Sequence, residues 1–162
     1  MKNLIVILTL FFFISCNQSN KSRIIENSNF NNDVFTTYEF YGNYLPTKEI
    51  KVKKYLLNGI EISTKEINGK YKIDLICLRF TDLNTKEYYC VDKIKFKGDK
   101  SNFTLEADDP VIGTIKISGM FFGDRGPMFE KYSESEKIAF KGKFEVSGII
   151  NQTFECRYFE GD

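Results

Sequence analysis

The 162-residue chain contains no histidine, no tryptophan, only three prolines and a formal charge of +1. Without imidazole it lacks the commonest general base, the commonest zinc ligand and the residue on which serine and cysteine triads depend. Near-neutrality argues against a nucleic-acid partner, which a basic excess or stripe normally announces. The short run KVKK at 51–54 reads instead as the solvated face of a strand. Carboxylate or lysine chemistry stays open, and the adjacent carboxylates of EADDP are its nearest candidates. Asp108 and Asp109 in EADDP are sequence neighbours, so in a strand they point to opposite faces, and before a proline they form turns. No catalytic set, metal-ligand set or cofactor motif emerges, and the expectation is a protein that is not an enzyme and carries no cofactor.

The chain is also poor in long apolar runs. LIVILTLFFF (4–13), behind the single basic Lys2, has the length of a signal-peptide h-region. A bilayer-spanning helix needs about 20 apolar residues. No polar face interrupts the segment, which excludes an amphipathic core helix. It is followed at once by the polar run NQSNKS.

The residues Phe13, Ile14, Ser15 and Cys16 resemble the lipobox of the bacterial lipoprotein signal, with Phe13 where leucine is usual. That resemblance covers residues 1–16. It implies cleavage before Cys16, diacylglycerol on its sulfur (the palmitate-type modification) and usually a third acyl chain on its new amino group. Two chains already suffice for stable anchoring, at about 0.8 kcal/mol per buried CH₂. The implied location is an exported protein of the bacterial cell envelope, on the periplasmic side. Asn17, in place of the aspartate that retains such proteins at the inner membrane, is compatible with the outer membrane. Loss of residues 1–15 removes Lys2 and no acid, leaving 22 basic against 22 acidic side chains. Residues 16–33 are rich in Asn and Ser without an apolar period, and read as a flexible tether. The domain organisation is thus signal peptide 1–15, lipidated cysteine and tether 16–33, and one folded domain 34–162.

That domain is rich in what favours strands, with 16 Phe and 9 Tyr. Period-two alternation and turn residues predict strands at about 34–41, 48–57, 60–67, 70–80, 87–97, 102–107, 111–122, 138–148 and 153–160. Asn58-Gly59 and Asn68-Gly69 each read as a type I′ hairpin turn. Ile138, Phe140, Gly142, Phe144 and Val146 share one face, with Lys141, Lys143 and Glu145 on the other. Phe154, Cys156 and Tyr158 likewise oppose Glu155 and Arg157. The fold class is all-β, a single antiparallel meander of eight or nine strands. It closes as an up-and-down β-barrel or splits into a two-sheet sandwich, and strand length favours the barrel. In outline it resembles the lipocalin and calycin barrels, FYGNY (40–44) standing where those families often carry Gly-x-Trp, with Tyr44 in the Trp position.

A two-residue Leu83-Asn84 loop would place Ile73 opposite Ile94, Ile76 opposite Val91 and Cys77 opposite Cys90, within disulfide range. The alternative is a pair of small buried hydrophobes, with Cys156 a third. A cysteine-only metal trio lacks a histidine or a Cys-x-x-Cys, so no metal site is expected. The same register gathers Ile76, Leu78, Phe80, Tyr89 and Val91 on the face that also carries Lys72 and Lys93. If that face is outer, a cover is required, and three candidates stand: the 123–137 connection, a protein partner or lipid. Arg125, Met128 and Phe129 mark that connection as a candidate functional loop. Two binding roles remain open: a small apolar ligand held in the barrel, or an envelope protein partner engaged by an interaction, assembly or immunity module.

Overall fold

The computed structural model describes residues 35–36, 39–122 and 138–159. Every regular element among them is a strand: β1 (Phe35–Thr36), β2 (Gly42–Pro46), β3 (Lys51–Val52), β4 (Tyr55–Ile67), β5 (Lys70–Asp82) and β6 (Tyr88–Val91). The second half comprises β7 (Lys95–Gly98), β8 (Phe103–Asp109), β9 (Gly113–Phe121), β10 (Ile138–Val146) and β11 (Ile150–Phe159). All pairings are antiparallel, in the order β1-β5-β4-β2-β11-β10-β9-β8-β7, with β3 on β4 and β6 on β5. The last strand pairs back onto β2, Tyr158 opposite Tyr44. β6 and β7 follow one another through residues 92–94 but do not pair, so the sheet curls into a half-barrel and is not closed by a hydrogen-bonded ladder. This is a barrel-like antiparallel meander, all-β as the alternation implies.

Several local expectations are overturned. The strand expected at 34–41 is only the two-residue β1, and the next strand starts at Gly42. Asn58-Gly59 is not a hairpin turn. β4 runs straight through it with a bulge between Leu57 and Gly59, and the turn falls at Lys53-Lys54, where Lys53 adopts φ 54°. The Asn58 amide donates to the Thr81 hydroxyl on β5, so the extra residue is held across the sheet. Asn68-Gly69 does form the tight turn, with φ of 53° and 72°.

The Leu83-Asn84 loop is likewise longer than expected. The Asp82 N–H donates to the Glu87 carbonyl at 2.9 Å and the Lys86 N–H to the Asp82 carbonyl at 2.8 Å, closing a loop over residues 83–86. The Asp82 carboxylate accepts from the Asn84 N–H at 2.9 Å, an Asx turn that a two-residue loop has no room for. The register therefore shifts by two residues. Leu78, not Ile76, lies opposite Val91, and Arg79, not Cys77, lies opposite Cys90. The strand expected at 87–97 also breaks: after a corner closed by the Ile94 N–H to Asp92 carbonyl bond (3.0 Å), β7 leaves β5 and pairs with β8.

These irregularities decide which face is inner. Thr64 lies opposite Ile73 and Ser63 opposite Leu75, so Asp74 is an extra, exposed residue on β5. The bulge reverses the alternation, and Ile73 and Ile76 both point inward. The corner at 92–94 does the same for Val91 and Ile94. Ile76, Leu78, Phe80 and Val91 are consequently buried in the core, and Tyr89 packs against it. They form no exposed patch.

The interior is filled ring on ring. Phe96 meets Phe40 (centroids 5.4 Å apart), Phe40 meets Phe121 (5.0 Å), Phe121 meets Phe103 (4.5 Å), Phe103 meets Phe140 (5.2 Å) and Phe140 meets Phe154 (5.0 Å). Tyr44 is 1% exposed and closes on Phe121 at 4.9 Å. Each such ring contributes about 1.5–3 kcal/mol by leaving water, plus geometry-dependent attraction between rings.

Candidate functional site

The side wall of the meander carries a groove of about 920 Å³. Its floor is the outward face of β9, β10 and β11, where alternation leaves the polar set. Ladder pairing aligns these side chains in two rows: Ser118, Lys143 and Thr153, then Met120, Lys141 and Glu155. Between the rows Gly119 lies opposite Gly142, and a Cβ on Gly142 would stand 2.4 Å from the Phe140 ring and 2.4 Å from the Ser118 carbonyl oxygen. The glycine pair thus lets the two backbones close up beneath the Phe140 ring.

Two segments wall the groove. Residues 47–50 follow β2 and are pinned by the Thr47 N–H donating to the Glu155 carbonyl at 2.9 Å. The β7–β8 turn contributes Ser101 and Asn102, whose N–H groups donate to the Asp99 carboxylate at 2.8 and 3.0 Å. Phe121 N–H donates to Lys100 carbonyl at 2.9 Å and ties that turn to β9.

The groove presents ammonium, carboxylate, hydroxyl and amide groups. Lys141 pairs with Glu155 at 2.7 Å, and Lys143 with Glu145 at 2.7 Å, whose carboxylate also accepts from the Asn151 amide at 3.0 Å. These groups lie beside the apolar Ile50, Met120 and Phe154, so the lining is mixed polar and apolar. No group of three or more metal-ligating side chains occurs among the described residues.

The residues singled out from sequence are dispersed. Cys77 and Cys90 are joined as a disulfide, Cα atoms 5.7 Å apart, on the outward face of β5 and β6 beside Arg79. Cys156 is a free buried thiol whose pKa burial pushes up, which disfavours the reactive thiolate. Cys16 and the loop residues Arg125, Met128 and Phe129 lie outside the described residues.

Three of the other displaced pKa values, those of Lys54, Asp82 and Tyr89, lie at the barrel end formed by the 53–54, 83–87 and 109–113 turns; Tyr71, raised by burial, lies beside the 68–69 turn at the other end. The Lys54 ammonium, 2.6 Å from Asp82, holds that carboxyl below its ordinary value, and Lys54 is raised in return. Tyr89 is raised by burial and by donating to the Asp109 carboxylate at 2.6 Å. Asp109 also caps the Val111 and Ile112 N–H groups, both at 2.8 Å. These contacts tie turns together.

Sequence reasoning saw Lys141, Lys143 and Glu155 only as a solvated face. The groove exists because residues 47–50 and 99–102, remote in sequence, flank that face, and no local pattern announces it. No protein-family model, curated protein or solved structure matches this chain.

Proposed function

We propose that the protein is an envelope lipoprotein, anchored through Cys16, that acts as a non-enzymatic binding module and engages a protein partner on the outside of its barrel. The observation that carries this choice is the filled interior: the inward faces meet aromatic ring to aromatic ring, while the groove stands on the side wall. That favours an interaction, assembly or immunity role over storage of a small apolar ligand inside the barrel. The lipobox-like ending of the h-region supports the anchor.

Two measurements test the reading. Intact-mass analysis of protein extracted from membranes is expected to show cleavage before residue 16 and acyl chains on Cys16, both lost in Cys16→Ala; an unmodified cysteine overturns the anchor. A photo-crosslinking side chain at Thr153 or Ser118 is expected to trap a discrete envelope protein in cells, and the same group at Tyr88 is not. The adduct is expected to disappear with Lys143→Glu. Equal trapping at Tyr88, or a tightly held apolar molecule in native mass spectra, refutes the choice of surface.

A further inference from the structure

The strand directions sort the turns onto two ends of the barrel. One end holds the start of β2, the Asn68-Gly69 turn, the β7–β8 turn, the end of β9, the start of β10 and the end of β11. The chain also enters the fold there. Phe35 and Thr36 pair with Lys72 and Tyr71, in the half of β5 nearest that end. Segment 16–34, which would carry the lipid, therefore connects to this end and to no other, and spans at most about 65 Å even fully extended.

The same end is the more apolar rim. Going around it, consecutive strands present Phe122 (36% exposed, just past β9), half-buried Ile138 on β10, Phe159 (45%) on β11 and Tyr41 (44%) just before β2, with Phe35 (46%) at the entry point. Adjacent strands lie about 4.8 Å apart, so the first four form one continuous arc. Cations accompany the arc. Exposed Arg157 lies opposite Ile138, Lys141 Nζ sits 5.9 Å from the Phe122 ring while paired with Glu155, and the tip of the β4–β5 hairpin carries Lys65 and Lys70 around Glu66, with Asp99 on the neighbouring β7–β8 turn. At the opposite end the exposed apolar side chains sit singly, Tyr88 at the start of β6 and Val111 and Ile149 on separate turns.

From this placement we infer that the tethered end of the barrel docks on the surface of the bilayer that holds the lipid anchor, its aromatic arc at headgroup depth and its lysines toward anionic lipid. Aromatic rings are stable at the membrane–water interface because each has an apolar body with a polarisable or polar edge. Lysines near an anionic leaflet add attraction that falls off within a Debye length. Docking in this orientation brings the Ser101–Asn102 wall of the groove against the bilayer and leaves the Lys143–Thr153 row open sideways above it. The inference rests on the lipid-anchor reading.

The absence of tryptophan makes the test direct. Single-tryptophan variants Phe122→Trp, Tyr41→Trp and, at the far end, Tyr88→Trp are made in the full-length precursor and the acylated products purified. Each is reconstituted in vesicles of phosphatidylethanolamine and phosphatidylglycerol doped with a phospholipid brominated near the headgroup end of its acyl chains. The expected result is a blue shift and loss of emission for the Phe122 and Tyr41 positions and unchanged emission for Tyr88. Equal quenching at Tyr88, or none at either end in protein whose mass confirms acylation, overturns the docking while leaving the anchor intact. An unmodified Cys16 overturns both. Tyr41→Trp guards against a folding defect in Phe122→Trp, and circular dichroism of each variant separates that outcome.

Discussion

Replacing Gly142 with alanine sets two opposing effects against each other. A glycine inside a strand usually costs roughly 0.5–1 kcal/mol relative to alanine, so composition alone predicts that Gly142→Ala stabilises the protein. The structure predicts the reverse. The new methyl would lie 2.4 Å from the Phe140 ring and 2.4 Å from the Ser118 carbonyl oxygen on the neighbouring strand. The ring belongs to a side chain packed on Phe103, Phe121 and Phe154, and the oxygen belongs to backbone, so neither can give way cheaply. Overpacking of this kind costs about 1–3 kcal/mol, and two contacts this close place it at the upper end. After the propensity gain is set against it, the expected loss is about 2 kcal/mol, a Tm decrease of roughly 8 °C for a domain of this size. Urea titration checks it: the midpoint falls while the m-value holds. A cycle with Phe140→Leu isolates the ring's share. If the ring is one of the two obstacles, the double variant is more stable than the sum of the single losses by about 1 kcal/mol. Gly142→Ala as stable as the parent, or a strictly additive double variant, refutes the packing argument.

Three further perturbations probe the barrel end of the 53–54 and 83–87 turns and the disulfide. Because Lys54 lowers the pKa of Asp82, its contribution to stability is present above the ordinary carboxylate value of 3.8 and is lost as pH falls through the lower folded value. Asp82→Asn keeps the capping geometry but removes the charge, so it is expected to lower Tm at neutral pH and to differ little from the parent once both are acidified below that range. Tyr89→Phe removes the bond to Asp109 while that carboxylate keeps its two backbone donors, an expected loss of about 1 kcal/mol by urea titration. Absorbance titration in alkali is expected to show one fewer late-ionising phenol in this variant, since the raised Tyr89 stays neutral above the ordinary value of 10.0, where an unshifted phenol ionises. Cys77→Ser with Cys90→Ser opens a link between positions 13 apart, expected to cost about 3 kcal/mol; an unchanged midpoint under non-reducing conditions argues that the bond does not constrain the unfolded chain.

The patterning of single strands was legible in the residues, most plainly in β10 and β11, where Phe140, Phe144, Val146, Phe154 and Cys156 are buried and Lys141 and Arg157 exposed. Asn68-Gly69 announced its turn because both positions need positive φ and nothing in the sheet competes. The identical dipeptide at Asn58-Gly59 misled, because the local preference is small beside what a long ladder gains by continuing. Thr81 offers Asn58 a partner across the sheet that a turn would forfeit.

Ile76, Leu78 and Val91 show where local reading stops. Strict period-two counting assigns them to a face shared with lysines, which would need a cover if it pointed outward. An extra residue at Asp74 and a corner at 92–94 each reverse the alternation, and one inserted residue moves every later side chain to the other face. The groove was equally out of reach, since the residues that wall it come from two loops that only the curl of the sheet brings to the same strands. The all-β character, the alternation of β10 and β11 and the Asn68-Gly69 turn are properties of short stretches, set by pleat and φ preference, and the sequence by itself determined them. Which apolar residues became core, which charged rows became a groove floor, and which end of the barrel Phe35 and Thr36 join are relations between distant segments, and only the tertiary structure decided those.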